Sequence, residues 1–195
     1  MGGPLCLDFI NTLDDRPMPE HKELLVSYYD LVSFAADAAI LSEVQLRELI
    51  SRSTLNPTQA DRALRIAILM RETMYAVFWA VVKKRPAPPV QLQALNQYVR
   101  TAAQHFRLVS GQGHFEWQID VDRAGLEAPL WPIARSAGEL LASDQLQYVK
   151  ACASKTCEWL FLDTSKNHAR RWCDMTKCGN RAKVQRFYTR NQEAD

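Results

Sequence analysis

Four of the five cysteines in this 195-residue chain form two pairs near its C-terminal end. Each pair has four residues between its cysteines, the first from Cys152 to Cys157 and the second from Cys173 to Cys178. Four thiolates spaced in this way can close a tetrahedral shell around one Zn²⁺ ion. Because such a shell leaves no open coordination position, the spacing predicts one structural zinc ion per chain rather than a catalytic one.

Other uses of these four cysteines stay open as alternatives. They could hold an iron–sulfur cluster, act as a redox-switched set of thiols, or be buried free cysteines. Nothing else in the sequence suggests electron transfer, which favours zinc. The fifth cysteine, Cys6, stands alone near the start and is expected to be a small core residue.

The residues between and after the cysteines predict how the two pairs meet. The segment between the pairs alternates around the turn-forming residues 163–167, so we expect a hairpin whose ends bring the pairs together. After Cys178, a helix is expected in which Val184, Phe187 and Tyr188 share one buried stripe. A knuckle, a hairpin and a helix that bears the last ligand make a treble-clef finger. So small a module has little core, and zinc would supply much of its folding energy.

The predicted finger is also the basic part of the chain. Residues 150–190 contain ten Lys and Arg against three acids, a net +7, whereas the whole chain carries +2 and the remainder therefore −5. A basic module on an acidic body suggests a polyanionic partner. Lys183, Arg186 and Arg190 fall on one face of the predicted helix, and Arg181 could also brace the zinc knuckle. The residues expected to contact phosphate groups are Arg170, Arg171, Arg181, Lys183, Arg186 and Arg190.

A second polar group lies in the apolar opening segment. Asp8, Asn11 and Thr12 alternate there with apolar residues that are expected to be buried, and a buried carboxylate needs a partner. Arg62 and Arg65, three residues apart on a predicted long helix, are the expected partners. The cluster is either a structural ion pair that ties the segment to this helix or the lining of a pocket for a small effector.

The elements that would position these groups are mainly helical. Apolar spacing predicts helices at 24–40, 43–52, 90–103 and 133–141, and Asn56-Pro57 opens a longer helix that ends at Pro86. Short apolar segments at 106–110 and 114–120 around Gly-Gln-Gly predict a β-hairpin. The expected fold class is therefore α+β: a mainly helical N-terminal domain with a small β-hairpin element, residues 1–143, followed by a small treble-clef zinc finger, residues 144–195.

The composition excludes several classes of protein. A hydrophobic content of 47% supports a buried core, and the longest apolar stretch, 76–82, is too short to cross a bilayer. The opening residues lack a positively charged start, so we expect a cytoplasmic protein without a secretory signal. In that reducing compartment, cysteines favour metal over a disulfide framework. An enzyme is not expected, because the chain has no nucleophile–base pair, phosphate loop or paired-histidine motif.

These motifs are similar to those of two known families. The run Cys178-Gly179-Asn180-Arg181, preceded by Arg171-Trp172-Cys173-x-Met175 and Phe161-x-Asp163, resembles the CGNR zinc finger. That resemblance implies that the four cysteines are zinc ligands in a DNA-binding treble clef of a bacterial regulator. The opening run from Leu7 to Thr12 and the residues from Arg62 to Arg65 resemble the ABATE domain. This second resemblance implies a stress-responsive transcription regulator.

The leading hypothesis is therefore a bacterial transcription regulator that binds DNA through its four-cysteine zinc finger. The N-terminal domain would sense a small-molecule effector or form a homodimer, and no membrane partner is expected. RNA binding and a protein-interaction module are the alternatives. A steep fall of binding with salt would separate nucleic acids from protein partners, and a comparison of duplex DNA with structured RNA would separate the first two.

Overall fold

The computed structural model describes residues 3–111 and 113–184, and it shows a mainly helical body with three small hairpins. The described helices are α1 (Leu5–Ile10), α2 (Tyr28–Asp37), α3 (Glu43–Leu55), α4 (Pro57–Val82), α5 (Pro89–Ala103), α6 (Val121–Ala124) and α7 (Leu130–Leu141). The described strands pair as antiparallel hairpins: β1 (Leu13–Asp14) with β2 (Lys22–Glu23), β3 (Phe106–Ser110) with β4 (Phe115–Ile119), and β5 (Val149–Ala151) with β6 (Leu160–Leu162). The predicted α+β class is thereby confirmed.

Helix α4 is the central element, and it begins where the sequence predicted. Pro57 occupies its first turn, where the missing N–H has no intrahelical partner to lose. The helix buries a stripe that includes Ala67, Met70, Met74 and Phe78 at helical spacing. None of the described helices, α4 included, is long and apolar enough to cross a lipid bilayer.

The chain before α3 differs from the expectation in two places. The predicted helix at 24–40 begins only at Tyr28, because Leu24 donates its N–H to the carbonyl oxygen of Thr12 at 3.0 Å and so extends the β1–β2 pairing. The carboxylate of Asp30 then caps α2 by accepting the N–H of Ser27 at 2.7 Å. Helix α1 was not predicted, since it is short and buried on most of its surface and therefore lacks an amphipathic pattern.

The β3–β4 hairpin lies where the sequence predicted it. Its register pairs Phe106 with Ile119 and Leu108 with Trp117, so these four side chains share one face. Ile119 is buried, whereas Trp117 is 56% exposed. The base of the hairpin is therefore buried against the body, while its middle is largely open to solvent.

The hydrophobic core extends beyond the predicted domain boundary at residue 143. It contains α1, α2, α4 and α7, and it also includes Val149 from β5 and Leu160 from β6. Cys6 is fully buried in this core, as expected. A second, small cluster consists of the four C-terminal cysteines with Trp159 and Trp172. The β5–β6 hairpin thus shares the core of the body, while the part of the chain that the structure describes places only these two tryptophans around the cysteine cluster.

Candidate metal centre and nucleic-acid interface

The first cysteine pair lies in the loop that joins β5 to β6. Pairing of Ala151 with Leu160 holds the two ends of this loop together, and the N–H of Cys152 donates to the carbonyl oxygen of Trp159 at 2.8 Å. Ala153 in the same loop donates its N–H to the carbonyl oxygen of Arg171 at 2.8 Å. That bond holds Arg171, which precedes the second cysteine pair, next to the first pair.

The second pair is positioned by a capped helical turn. The carboxylate of Asp174 accepts the N–H groups of Thr176 at 2.7 Å and Lys177 at 3.2 Å at the start of this turn. The turn, Met175–Gly179, is π-helical and leads directly into an α-helical segment that begins at residue 180. Cys178 therefore lies close to the N-terminus of that segment, where the helix dipole favours a thiolate.

The four cysteines have the geometry of a tetrahedral zinc site. All four Sγ atoms lie within 4.8 Å of one another. The distance between Sγ atoms is 3.6 Å from Cys157 to Cys173 and 3.8 Å from Cys173 to Cys178. A tetrahedron with Zn–S bonds of about 2.3 Å has edges of about 3.8 Å. The described cysteines are free rather than joined in disulfides, and together they can hold one zinc ion.

The charge state of the cluster also fits a divalent cation. Hydrogen bonds from Cys157 and Cys173 lower the pKa of the Cys152 thiol, whereas the hydrogen bond with Cys152 raises the pKa of Cys157. Neighbouring thiolates repel each other, so four ionised thiols at this spacing need a cation between them. A Zn²⁺ ion removes this conflict by binding all four as thiolates.

The segment between the pairs is organised by Asp163 rather than by the expected hairpin. Its only described strand is β6, because the hairpin partner of β6 is β5, before the first pair. The buried carboxylate of Asp163 accepts hydrogen bonds from the side chain of Lys150 at 2.7 Å and from the N–H groups of Ser165 at 3.0 Å and Arg170 at 2.9 Å. Although burial alone would raise it, these bonds hold the pKa of Asp163 well below its usual value.

Arg170 is half-buried, and its guanidinium makes bonds within the finger that its expected role as a phosphate contact does not include. Its Nε donates to the carbonyl oxygen of Trp172 at 2.8 Å, and its Nη2 donates to the carbonyl oxygen of Cys173. The guanidinium carbon also lies 4.9 Å from the ring centre of Phe161. Arg170 therefore braces the loop that carries Cys173.

The Cys-Gly-Asn-Arg run has a structural task at each position. Cys178 belongs to the thiol cluster, and a side chain at Gly179 would place its Cβ 3.1 Å from Met175 Cε. The amide of Asn180 donates to the carbonyl oxygen of Thr176 at 2.9 Å. Arg181 donates from Nη1 to the hydroxyl of Thr156 at 2.8 Å, and it thus joins the C-terminal helix to the first cysteine pair.

The other residues of the expected phosphate surface divide into two groups. Arg171, Arg181 and Lys183 are exposed, although Arg181 is also braced as described. Arg186 and Arg190 lie outside the described residues, and so do Phe187 and Tyr188 of the expected buried stripe.

The expected pairing of Asp8 with Arg62 or Arg65 is wrong. Both arginines are exposed, and no ion pair is described for either of them. The arginine that ties the opening segment to α4 is Arg71, which is 2% exposed. Its Nη1 donates to the Thr12 hydroxyl at 3.3 Å, and its two other nitrogens bind the carboxylates of Glu23 and Glu72. Arg71 lies on the buried stripe of α4, next to Met70 and Met74. The helical spacing of the apolar residues could therefore have identified it as the buried arginine.

Asp8, Asn11 and Thr12 face the finger instead. They line a cleft of about 490 Å³ whose other wall includes residues 159–162 and Lys177. The side chain of Asn11 donates to the carbonyl oxygen of Leu160 at 2.8 Å and accepts its N–H at 3.0 Å, as a neighbouring strand would. Burial raises the pKa of Asp8. This arrangement links the opening segment to strand β6.

A helical body with a four-cysteine zinc centre at its C-terminal end defines a zinc-finger protein. Residues 148–191 match the CGNR zinc finger, and residues 3–144 match ABATE, the family described as "Putative stress-induced transcription regulator". Since the second match covers well over half of the chain, the protein belongs to the ABATE family and carries a CGNR zinc finger after that domain. No curated protein matches the chain at a significant level.

Proposed function

We propose that this protein is a transcription regulator that binds duplex DNA through its CGNR finger, with a treble-clef arrangement completed by the C-terminal helix. The observation that carries the proposal is the one-sided charge of the finger surface. The three acids of the matched segment 148–191 are engaged within the protein: Asp163 is buried, Asp174 caps the π-helical turn, and Glu158 accepts a hydrogen bond from Tyr75 at 3.3 Å.

The basic residues of the finger are distributed in the opposite way. Those that are exposed are Lys155, Lys166, Arg171, Lys177, Arg181 and Lys183. The exposed charges are thus cationic, because the acids are engaged within the protein. Such a surface suits the phosphate backbone of DNA, which supplies most of the sequence-independent affinity. The N-terminal domain would then control this binding by responding to a small-molecule effector. Arg186 and Arg190, which lie outside the described residues, belong to the phosphate-contact set that the sequence predicts.

The test measures binding of a labelled random-sequence duplex by fluorescence anisotropy over a range of salt concentrations. Binding should weaken steeply with salt, and Lys183→Gln or Arg171→Gln should each lower the slope of log K against log salt by about one unit. Arg62→Gln is the matched control, because Arg62 is an exposed arginine on the body. It should leave the slope unchanged.

The zinc content of each variant shows whether the finger is still folded. Lys183→Gln and Arg171→Gln should still hold one zinc per chain, so that any weaker binding reflects a lost contact with DNA. Binding without salt dependence would contradict the proposal and favour a protein partner. Tighter binding to structured RNA than to duplex DNA of equal charge would assign the surface to RNA. Equal binding by the Lys183→Gln/Arg171→Gln double variant and the wild type would show that another face is used.

A further inference from the structure

A cleft of about 660 Å³ lies between α5, α7 and the β3–β4 hairpin, away from the zinc centre. Small side chains at Ala103, Gly138 and Ala142 create its depth. At Gly138 the two helices touch, because a Cβ built there would lie 3.3 Å from a methyl group of Val99. The cleft is therefore a hollow with a closed floor rather than a gap between domains.

The hairpin forms an overhanging wall of this cleft. Phe106 and Trp117 lie on the same hairpin face, and both line the cleft together with Leu92 and Leu95 of α5. Leu95 is buried, whereas Leu92 is 39% and Trp117 56% exposed. Aromatic and aliphatic side chains thus line a space that is open to solvent.

Two polar groups project into these apolar surroundings. Arg135 of α7 lies beneath the overhang, with its guanidinium carbon 4.9 Å from the ring centre of Phe106 and 5.1 Å from that of Trp117. Its Nε donates to Glu139 at 2.7 Å, but no hydrogen bond within the described residues occupies its two terminal nitrogens. Asn96 of α5 also lines the cleft, and within the same residues its amide has no described hydrogen bond.

These features select a class of ligand. The volume lies within the range of small-molecule sites, which are mostly apolar with a few polar groups. The two aromatic side chains of the hairpin wall favour a ring, and the free donors of Arg135 and Asn96 favour an acceptor oxygen. Glu139 already balances the charge of Arg135 and would repel an anion, so an uncharged ligand fits best.

We infer that this cleft binds a small, uncharged, ring-bearing compound with a carbonyl or similar acceptor oxygen. The site is distinct from the polar cleft beside Asp8, which the sequence analysis offered as an effector pocket or a structural ion pair. The binding of this compound is independent of the proposed function. Its role as an effector that controls DNA binding rests on that function. The donors of Arg135 and Asn96 orient the acceptor oxygen, while Trp117 and the α5 side chains cover the ring.

The probe is Prodan, an uncharged naphthalene ketone whose fluorescence reports the polarity around it. Titration of the full-length zinc protein without DNA should show one saturable site per chain. Ala103→Trp fills the cleft from an exposed position and should weaken binding about tenfold or more. Asn96→Leu removes a donor and should weaken it about three- to tenfold. The matched control, Ala36→Trp, places the same side chain at an exposed position of α2 and should bind like the wild type.

The inference fails if the wild type does not bind Prodan, or if Ala103→Trp and Ala36→Trp bind it equally. Ala142→Trp fills the other side of the cleft and replaces Ala103→Trp if that variant loses its helical circular dichroism. Sedimentation is measured in parallel, because a wild-type dimer that Ala103→Trp dissociates would assign the cleft to a second copy of the chain. DNA binding is measured separately without Prodan, and there Ala103→Trp should match the wild type. The ligand site and the DNA-binding function can therefore fail independently of each other.

Discussion

Arg71 shows how one side chain joins three parts of the body. It is 2% exposed, and it bonds Thr12 of the opening segment, Glu23 of β2 and its neighbour Glu72 on α4. Burying a guanidinium costs free energy that only several partners can offset. For Arg62 and Arg65, the exposed arginines of the same helix, no such contact with the described residues is seen. Position on the helix, rather than residue type, decides the role of each arginine.

Replacing Arg71 should therefore destabilise the protein far more than replacing Arg65. We expect Arg71→Met to lower the free energy of unfolding by about 3 kcal/mol, because it leaves two carboxylates without their shared cation. Arg65→Met, the matched control on the exposed face, should change it by no more than about 0.5 kcal/mol. Urea unfolding followed by circular dichroism measures both, and equal midpoints for the two variants would contradict the assignment.

At the scale of elements, the ion cluster between β2 and α4 makes the body sensitive to acid. Burial alone would raise the pKa of Glu23 and Glu72, but their bonds to Arg71, and to Arg16 in the case of Glu72, lower both below the ordinary value of 4.5. A depressed pKa gives stability that is present above pH 4.5 and is lost as the pH falls through the lower values of the folded protein.

The dependence of stability on pH can be measured by comparing the wild type with Arg71→Met. The stability difference between the wild type and Arg71→Met should be constant from neutral pH down to about pH 5 and should narrow below pH 4.5. Taking the difference cancels acid effects that both proteins share, including protonation of the zinc thiolates. A difference that widens as the pH falls would contradict the assigned ion pairs.

A second contact between elements is the pairing of Asn11 with strand β6. The amide of Asn11 makes two hydrogen bonds to the backbone of Leu160 and so completes one edge of the β5–β6 hairpin. Asn11→Leu should raise the hydrogen-exchange rate of the Leu160 amide and cost about 1 to 3 kcal/mol, because a buried carbonyl and N–H lose their partners. Asn96→Leu makes the same change at an exposed helical position and should leave that amide unaffected. Unchanged exchange in Asn11→Leu would contradict the contact.

At the scale of the whole molecule, the finger is not folded as one unit. The β5–β6 hairpin shares the core of the body through Val149 and Leu160, whereas the apolar side chains described against the cysteine cluster are those of Trp159 and Trp172. Zinc is therefore needed for the second half of the finger, from about Arg171 onward, more than for the first. The sequence predicted instead one small module with zinc supplying much of the folding energy of the whole finger.

Removal of zinc should divide the finger at this point. With a strong chelator, or in Cys173→Ser, hydrogen-exchange protection should disappear around Cys178 but persist in β5 and β6, and the helical circular dichroism of the body should remain. Cys6→Ala, which changes a buried cysteine outside the cluster, should keep one zinc per chain by elemental analysis. Loss of protection in β5 and β6 as well would contradict this division. Iron in place of zinc in the elemental analysis would contradict the assignment of the metal.

The sequence by itself determined the features that depend on local spacing. The four cysteines, the Cys-Gly-Asn-Arg run, the start of α4 at Pro57 and the β3–β4 hairpin all follow from residues that are near each other in the chain. Repeating apolar positions and turn residues specify such elements through short-range sterics and hydrogen bonds. The zinc site was predictable for this reason, since each cysteine pair lies within one loop or turn.

The tertiary structure decided which polar side chains meet. Asn11 and Leu160 are 149 residues apart, and Arg71 and Glu23 are 48 apart, so no local pattern encodes either contact. Arg170 and Lys183 are both basic, yet packing turns one toward the Cys173 carbonyl and leaves the other in solvent. The cleft beside Trp117 likewise exists only because α5, α7 and the hairpin converge. Burial depends on the neighbours that the fold supplies, and this is why composition and spacing alone assigned several charged residues to the wrong partners.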